Sequence, residues 1–414
     1  MNVPDSLWRN ILEMDFSWNE DGKVWFIGLR LQYIFCADIN KKEIDIVLKL
    51  PNESVLGYRK YQQLIKYKDK LICLPCFNKD ILIYDMVSGN VNNVLIKNCQ
   101  KFSEMCCICV GTVKCRLYIV AGWNVKKIIV LDMEEEKILD IFDVECSDNN
   151  DMIGTSSVMY RRKIYMPIWN KEKIVSFDVE TYEFEEHFIS GDICGCACIY
   201  QDGKNCWIIG RNYGILKWNP DTGVANEVKD IPVGFKVFAV GPIDREVEWY
   251  EYGEKRIYDP LDKNYFCREC LFGEIYMWVI PAFSNSIIRI DTETMKVRVF
   301  QFESEYRQEY SQDEELYEFS MWGVGSDGNL RIITRQNCNI YCINTRKMSG
   351  LLEKWDLSEN ALNRILFDLF DSEIYEKRGF QLDTFLFGAE RGYLKEKDVK
   401  KGAGIGVQIY CESS

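Results

Sequence analysis

Three arginines, Arg30, Arg211 and Arg335, stand at the same point of a repeated pattern, just after an apolar run. A guanidinium can bind a carboxylate or a phosphate through two parallel hydrogen bonds, so these arginines predict recognition of an anion. Aromatic and amide residues occupy equivalent positions, and aromatic planes beside amides suit a sugar ring. The predicted ligand-binding residues are Arg30, Trp123, Asn124, Trp169, Arg211, Tyr213, Phe283, Arg335 and Gln336.

His187 is the only histidine of the chain, which limits the catalytic chemistry that the protein can use. A single histidine argues against serine–histidine–aspartate triads, which would have to use this one residue, and against histidine-rich zinc sites, which need more than one imidazole. The residue lies in the mostly polar run 184–187 of a predicted outer strand, so we expect it to be exposed to solvent. An enzyme built on this chain would use a carboxylate or a tyrosine as its acid or base.

Eighteen cysteines in a chain that begins without a signal-peptide pattern are typical of reduced, buried thiols. Cys267 and Cys270 form a single C-x-x-C motif, and a structural zinc would need a second pair nearby. Cys194, Cys196 and Cys198 alternate along a predicted strand, so we expect them to share one face. Packing is the favoured interpretation of both groups. The sequence predicts no metal site and no cofactor.

The composition describes a folded, acidic protein. Hydrophobic residues make up 47% of the chain, and the net charge is −13 with a pI near 4.9. Nucleic acids and anionic membranes attract basic surfaces, so neither is an expected partner. Without a targeting segment or a stretch of about 18 apolar residues, we expect a cytoplasmic protein.

The elements that must position the candidate residues recur seven times along the chain. Each copy has a polar turn, an apolar strand that mostly ends at Gly or Pro, and a second strand that closes on Asp or Asn. The closing residues are Asp38, Asp85, Asp132, Asp178, Asn219, Asp291 and Asn344. Five of the six intervals lie between 41 and 53 residues, the spacing of a four-stranded propeller blade. The remaining interval, from Asn219 to Asp291, is 72 residues and contains an insertion at about 244–270.

This repeat predicts an all-β fold, a seven-bladed β-propeller with a short helical C-terminal appendage. We expect the first strand of each copy to be the innermost strand of its blade and the closing Asp or Asn to cap the following turn. The predicted innermost strands are 22–28, 70–75, 116–122, 163–167, 205–210, 274–281 and 329–334. We place the propeller at 1–350 and a helical extension packed on it at 351–414.

The repeat resembles the kelch-like and galactose-oxidase-like β-propellers over roughly residues 15–350. The resemblance implies the fold and no activity, because the kelch double glycine is absent from every copy and no two-histidine copper site is available. We therefore expect a binding or scaffold module for a small molecule, a carbohydrate or a partner protein. The alternative is an enzyme that acts on a sugar or an anionic metabolite at the mouth of the central channel.

Overall fold

The computed structural model describes most of the chain between residues 4 and 371. The described residues are 4–12, 14, 17–28, 31–51, 60–76, 78–97, 107–122, 125–145, 150–211, 214–231, 247–251, 254–258, 269–272, 275–280, 283–284, 286–301, 317–324, 327–334 and 339–371. They form two helices, α1 (Asp5–Leu12) and α2 (Glu359–Asp371). Neither helix is long and apolar enough to cross a membrane.

Four-stranded antiparallel sheets follow one another along the chain as separate blades. Blade 1 contains β1 (Ser17–Glu20), β2 (Lys23–Ile27), β3 (Tyr33–Asp38) and β4 (Glu43–Lys49). Blade 2 contains β5 (Tyr61–Tyr67), β6 (Lys70–Pro75), β7 (Asp80–Asp85) and β8 (Val91–Leu95). Blade 3 contains β9 (Cys107–Val113), β10 (Arg116–Ala121), β11 (Lys127–Asp132) and β12 (Lys137–Asp143). Blade 4 contains β13 (Val158–Tyr160), β14 (Lys163–Ile168), β15 (Lys173–Asp178) and β16 (Phe184–Phe188).

The remaining blades repeat this order with one insertion. Blade 5 contains β17 (Cys196–Gln201), β18 (Cys206–Gly210), β19 (Ile215–Trp218) and β20 (Ala225–Glu227), and the hairpin β21 (Val247–Glu251) and β22 (Glu254–Tyr258) follows it. Blade 6 contains β23 (Glu269–Phe272), β24 (Tyr276–Ile280), β26 (Ser286–Asp291) and β27 (Val297–Gln301), with β25 (Phe283–Ser284) in its second connection. Blade 7 contains β28 (Tyr317–Val324), β29 (Asn329–Thr334), β30 (Asn339–Asn344) and β31 (Ser349–Glu353). The predicted seven-bladed β-propeller is confirmed.

The predicted innermost strands are in fact the second strands of their blades. No two of them pair within one sheet, but each is hydrogen-bonded on both edges. The first strands of neighbouring blades contact one another, as β1 does with β5 and β28, whereas fourth strands such as β8 and β16 are largely exposed. The innermost position therefore belongs to the first strand. Because a second strand is buried on both faces, it gives the longest apolar run and the clearest sequence signal.

All seven closing residues cap the turn between the third and fourth strands, as predicted. In blade 4, Oδ1 of Asp178 accepts hydrogen bonds from the backbone N–H groups of Glu180 and Thr181 at 2.8 and 3.2 Å. Asn219 does the same in blade 5 with its amide oxygen, which shows that the turn needs an acceptor and not a charge. The same pair of bonds is made by Asp38, Asp85, Asp132, Asp291 and Asn344.

The described core consists of seven apolar clusters, each lying between two adjacent blades. The cluster between blades 4 and 5 contains Tyr165 and Trp218, and the one between blades 5 and 6 contains Trp207. Packing between sheets thus holds the blades together, and among the strands named so far only the short β25 of blade 6 pairs with a strand of a neighbouring blade, β28.

The ring closes through the end of the described chain. After blade 7, β32 (Asp356–Leu357) pairs in parallel with the outer strand β4 of blade 1. Helix α2 then packs Leu362, Ile365 and Leu366 into the cluster that joins blades 1 and 7. The hydroxyl of Tyr33 donates to Oδ2 of Asp368 at 2.6 Å. All four main strands of blade 1 come from the beginning of the chain. The contact between the first and last blades is therefore made by β32 and α2, which follow blade 7 and pack on blade 1.

Candidate functional site

The predicted ligand-binding residues all belong to connections between second and third strands, or border them. Successive strands of a blade run antiparallel, so these connections lie on the same face as the segments that join one blade to the next. We call it the connection face. Trp169 and Arg211 are described on it, while Phe283 is described by its backbone alone, in β25, which pairs with β28. Outside the described residues lie Arg30, Trp123, Asn124, Tyr213, Arg335 and Gln336.

Trp169 and Arg211 come together across the boundary between blades 4 and 5. The guanidinium carbon of Arg211 lies 5.6 Å from the centre of the Trp169 ring, within the range of a cation–π contact. Trp169 also packs against the cluster between blades 5 and 6, and both side chains are half-buried. Any guanidinium carries its N–H groups in one plane, which is the geometry that binds a carboxylate through two hydrogen bonds, and Nε of Arg211 is itself buried.

Gly195 makes the close approach of these two residues possible. It has φ +72, and a Cβ built on it would lie 2.2 Å from the carbonyl oxygen of Trp169 and 3.2 Å from Cδ of Arg211. Its N–H donates to Oε1 of Glu172 at 3.1 Å. Only glycine combines this left-handed backbone with the absence of a side chain, so Gly195 fixes the spacing between the two blades here.

The segment 150–156 holds the Trp169 connection against blade 4. The N–H of Trp169 donates to the carbonyl of Met152 at 2.8 Å, and the amide of Asn170 donates to the carbonyl of Asn150 at 3.3 Å. The end of the same segment reaches blade 5, where the hydroxyl of Ser156 donates to the carbonyl of Ile199 at 2.9 Å. One segment therefore ties the candidate site to both blades.

A buried ion pair anchors that segment. Oδ2 of Asp151 lies 3.0 Å from Nζ of Lys173, and Oδ1 lies 2.6 Å from Nζ of Lys171. Glu186 contacts the other side of Lys173 at 2.8 Å. Burial acts to raise the pKa of Asp151, but the two ammonium groups outweigh it and hold that pKa below its ordinary value. Burial likewise acts to lower the pKa of Lys173, and the two carboxylates raise it instead.

The sequence did not single out Asp151, Lys171, Lys173 or Gly195. One usable signal was Lys173 itself, a lysine that opens the apolar run of a third strand, where burial demands a partner carboxylate. Nothing local identifies Asp151 as that partner, because it lies 22 residues earlier in a polar stretch.

The three alternating cysteines do not share one face, contrary to the prediction. A β-bulge interrupts the pairing of β17 with β18 between Cys196 and Cys198. Cys196 packs between blades 4 and 5, whereas Cys198 packs between blades 5 and 6, and Cys194 precedes the strand. A bulge adds one residue to one strand, so it reverses the alternation beyond it. Cys267 lies outside the described residues, and only the backbone of Cys270 is described.

Buried cysteines fill the core as predicted, Cys73, Cys76, Cys206 and Cys342 among them. Burial raises the pKa of the Cys206 thiol to about 12. Within the described part of the chain, no group of three or more histidine, cysteine, aspartate or glutamate side chains is arranged to hold a metal ion.

His187 is half-buried, so the expected exposure is wrong. It lies in the outermost strand of blade 4, as predicted, but its ring packs 5.4 Å from Trp218 and 5.8 Å from Tyr165. Its Nε2 is 2.9 Å from the hydroxyl oxygen of Ser176. Burial lowers the pKa of His187 below its ordinary value, although the carboxylate of Glu185 opposes the change.

Comparison with known proteins shows the fold alone. No protein-family model and no curated protein sequence matches the chain. Among solved structures it is similar to PorZ, a surface component of the type-IX secretion system of Porphyromonas gingivalis, with 11% identity and a TM-score of 0.52 over 84% of this chain. The chain spans 39% of the length of PorZ.

Two further solved structures are similar to the chain. Virginiamycin B lyase from Staphylococcus aureus has 13% identity and a TM-score of 0.53, covering 79% of this chain and 95% of the lyase. BamB from Moraxella catarrhalis has 11% identity and a TM-score of 0.45, covering 77% of this chain and 81% of BamB. These neighbours are β-propellers, and the more specific kelch-like resemblance is not confirmed.

Proposed function

We propose that this propeller is a binding module and that its ligand site lies on the connection face between blades 4 and 5. The contact of Arg211 with Trp169 carries the proposal, since it places a cation and an aromatic surface on adjacent blades. Gly195 sets the spacing between the two residues, and the segment 150–156 hydrogen-bonds the connection that carries Trp169. A preorganised pair of this kind lowers the entropy lost on binding.

A binding role is preferred to catalysis because the described carboxylates near the pair already make contacts that stabilise the structure. Asp151 contacts two lysines, and Glu172 accepts the N–H of Gly195. The solved lyase is a catalytically inactive variant in which alanine replaces a histidine. The only histidine of this chain, His187, lies in the outermost strand of blade 4, where it packs against Tyr165 and Trp218. Similarity to the lyase therefore does not favour histidine-dependent catalysis on the connection face.

For the ligand we propose a small molecule or carbohydrate in the first place, with a partner protein as the other outcome of the test. For the compartment we propose the cytoplasm. Among the described cysteines, Cys73, Cys206 and Cys342 are buried thiols outside any disulfide, which supports a reducing environment.

A thermal-shift screen of metabolites and glycans against the wild type, Arg211→Ala and Arg161→Ala tests the proposal. Arg161 is a matched control because its guanidinium lies 5.1 Å from the ring of Tyr160, in a turn on the opposite face of blade 4. We expect ligands that stabilise the wild type and the Arg161 variant but not the Arg211 variant. A ligand at about 100 times its Kd adds roughly 2.7 kcal/mol, well above detection.

Two results would contradict the proposal. One is a set of ligands that stabilise the Arg211 variant as much as the wild type. The other is the absence of any stabilising small molecule together with capture of a partner protein that ignores Arg211→Ala. Circular dichroism of both variants establishes that each retains the fold before the screens are compared.

A further inference from the structure

Beyond the proposed ligand site, we propose that the outer edge of blade 7 is a docking site for an extended segment of a partner protein. The edge is formed by β31, the last strand of its sheet, and no described strand pairs with its open side. Alternate residues of an edge strand direct their backbone N–H and C=O groups away from the sheet, where a strand of another chain can bind them. The partner that fits this edge has apolar residues in its centre and acidic residues at both ends.

The side chains that β31 exposes distinguish it from the other outer strands. Leu351 and Leu352 are 60% and 44% exposed, and Ser349 and Gly350 beside them are exposed as well. Charged side chains usually protect an edge strand from pairing. Such residues are exposed on β12, β16, β20 and β27, among them Lys137, Glu185, Glu227 and Arg298. Of the described outer strands, β8 exposes two asparagines, β4 pairs with β32, and only β31 exposes two adjacent leucines with no exposed charged or amide side chain.

The charges beside β31 determine the chemistry of the partner. Arg346 and Lys347 are exposed in the turn before the strand, and Lys354 is exposed directly after it. Glu353, the one acidic residue between them, is only 5% exposed, and the next acidic residue, Asp356, lies in β32, which pairs with blade 1. Both ends of the edge are therefore positive, in a chain whose net charge is −13. Acidic residues at the two ends of an added strand complement them.

Contacts on the sheet side hold the edge in place. Nε of Arg331 donates to Oε2 of Glu353 at 3.0 Å, and Nε1 of Trp355 donates to the same oxygen at 3.1 Å. The ring of Phe300 from blade 6 lies against Gly350, where a Cβ would be 2.8 Å from Cζ of that ring. The strand also pairs with β30 along its whole length without a bulge. Because β31 is fixed before a partner arrives, binding orders mainly the added strand.

The two leucines define the centre of the partner segment. Adjacent residues of a strand point to opposite faces, so Leu351 and Leu352 present one apolar side chain on each face of the sheet. An added strand places its own side chains beside them as cross-strand neighbours. The centre of the fitting segment therefore has consecutive apolar residues, and β-branched residues suit a strand best.

Fluorescence anisotropy of labelled peptides with the full chain tests the proposal. The probe is an octapeptide with capped ends that carries four valine and isoleucine residues between two pairs of glutamates. One control peptide has lysines in place of the glutamates, and another has prolines at two of the central positions, which removes backbone donors. We expect the glutamate peptide to bind and each control peptide to bind at least about tenfold more weakly.

Matched variants locate the binding site. Leu352→Ser should weaken binding by about tenfold, whereas Leu95→Ser, which changes a leucine that is 47% exposed in the outer strand of blade 2, should not. Lys354→Glu should also weaken binding, and Lys229→Glu, at an exposed lysine just after the outer strand of blade 5, should leave it unchanged. Arg211→Ala should have no effect, so this site and the proposed ligand site are tested separately.

Four results would overturn the assignment. Three are equal binding of either control peptide, an unchanged affinity of Leu352→Ser, and no binding of the glutamate peptide at about 1 mM. The fourth comes from sedimentation of the protein alone. A dimer that Leu352→Ser dissociates would show that a second copy of this chain, and not an acidic partner segment, occupies the edge.

Discussion

Nζ of Lys173 lies 3.0 Å from Oδ2 of Asp151, and the two side chains are 2% and 0% exposed. The pair joins the third strand of blade 4 to the segment 150–156, which precedes blade 4 and whose end contacts blade 5, so this ionic contact helps to hold the candidate site in place. Because both side chains are almost completely buried, each charge is tolerated only with opposite charges beside it, which Lys171 and Glu186 also supply.

The first prediction concerns this pair. Lys173→Met leaves Asp151 with Lys171 alone and should destabilise the protein by about 3–5 kcal/mol, as measured by urea unfolding. Lys127→Met is the control, because Lys127 pairs with Asp143 on the surface and should change stability by less than about 1 kcal/mol. Adding Asp151→Asn to Lys173→Met should restore part of the loss. Equal effects of the two lysine substitutions would show that the buried pair has no special role.

The second prediction concerns Gly195. Gly195→Ala places a methyl group against the carbonyl of Trp169, and we expect it to be destabilising and to abolish ligand stabilisation. Gly203→Ala is matched, since Gly203 also has a positive φ, +87, but a Cβ there meets nothing within 4 Å. Both variants bear the left-handed strain of roughly 1–2 kcal/mol, so the difference between their unfolding free energies measures the clash. No difference would contradict the close packing of the two blades at Gly195.

The third prediction follows from the single histidine. Since burial lowers the pKa of His187, proton NMR should show its one imidazole titrating below the ordinary value of 6.5. The unfolded chain takes up that proton first as pH falls, so this contribution to stability is complete above about pH 6.5 and is lost towards the folded-state pKa. His187→Gln should flatten the pH dependence of unfolding in this window. A midpoint at or above 6.5 would contradict the packed position.

The fourth prediction tests ring closure by α2. Leu366 is fully buried in the cluster between blades 1 and 7, and Leu366→Ala should lower the free energy of unfolding by about 2–5 kcal/mol. Phe367, the next residue, is 55% exposed, and Phe367→Ala should change it by no more than about 0.5 kcal/mol. Similar values for the two substitutions would mean that α2 does not contribute to closure.

The repeat and the fold could be predicted from the sequence because the middle strands of each blade carry most of the signal. Strands such as Lys163–Ile168 and Lys173–Asp178 are buried on both faces, so each one is a continuous apolar run that can be recognised from the sequence alone. The capping role of the closing residues was equally predictable, because the acceptor of Asp178 and the N–H groups that it binds lie within three residues of one another.

Tertiary structure alone decided which strand is innermost, how the ring closes and what surrounds the candidate site. The innermost β13 has only three residues, and β32 is recognisable only through its partner β4, so neither has a local signature. Asp151 meets Lys173, and Trp169 meets Arg211, across 22 and 42 residues of chain. Which distant residues meet depends on the register and packing of whole blades, and the sequence around each partner does not contain that information.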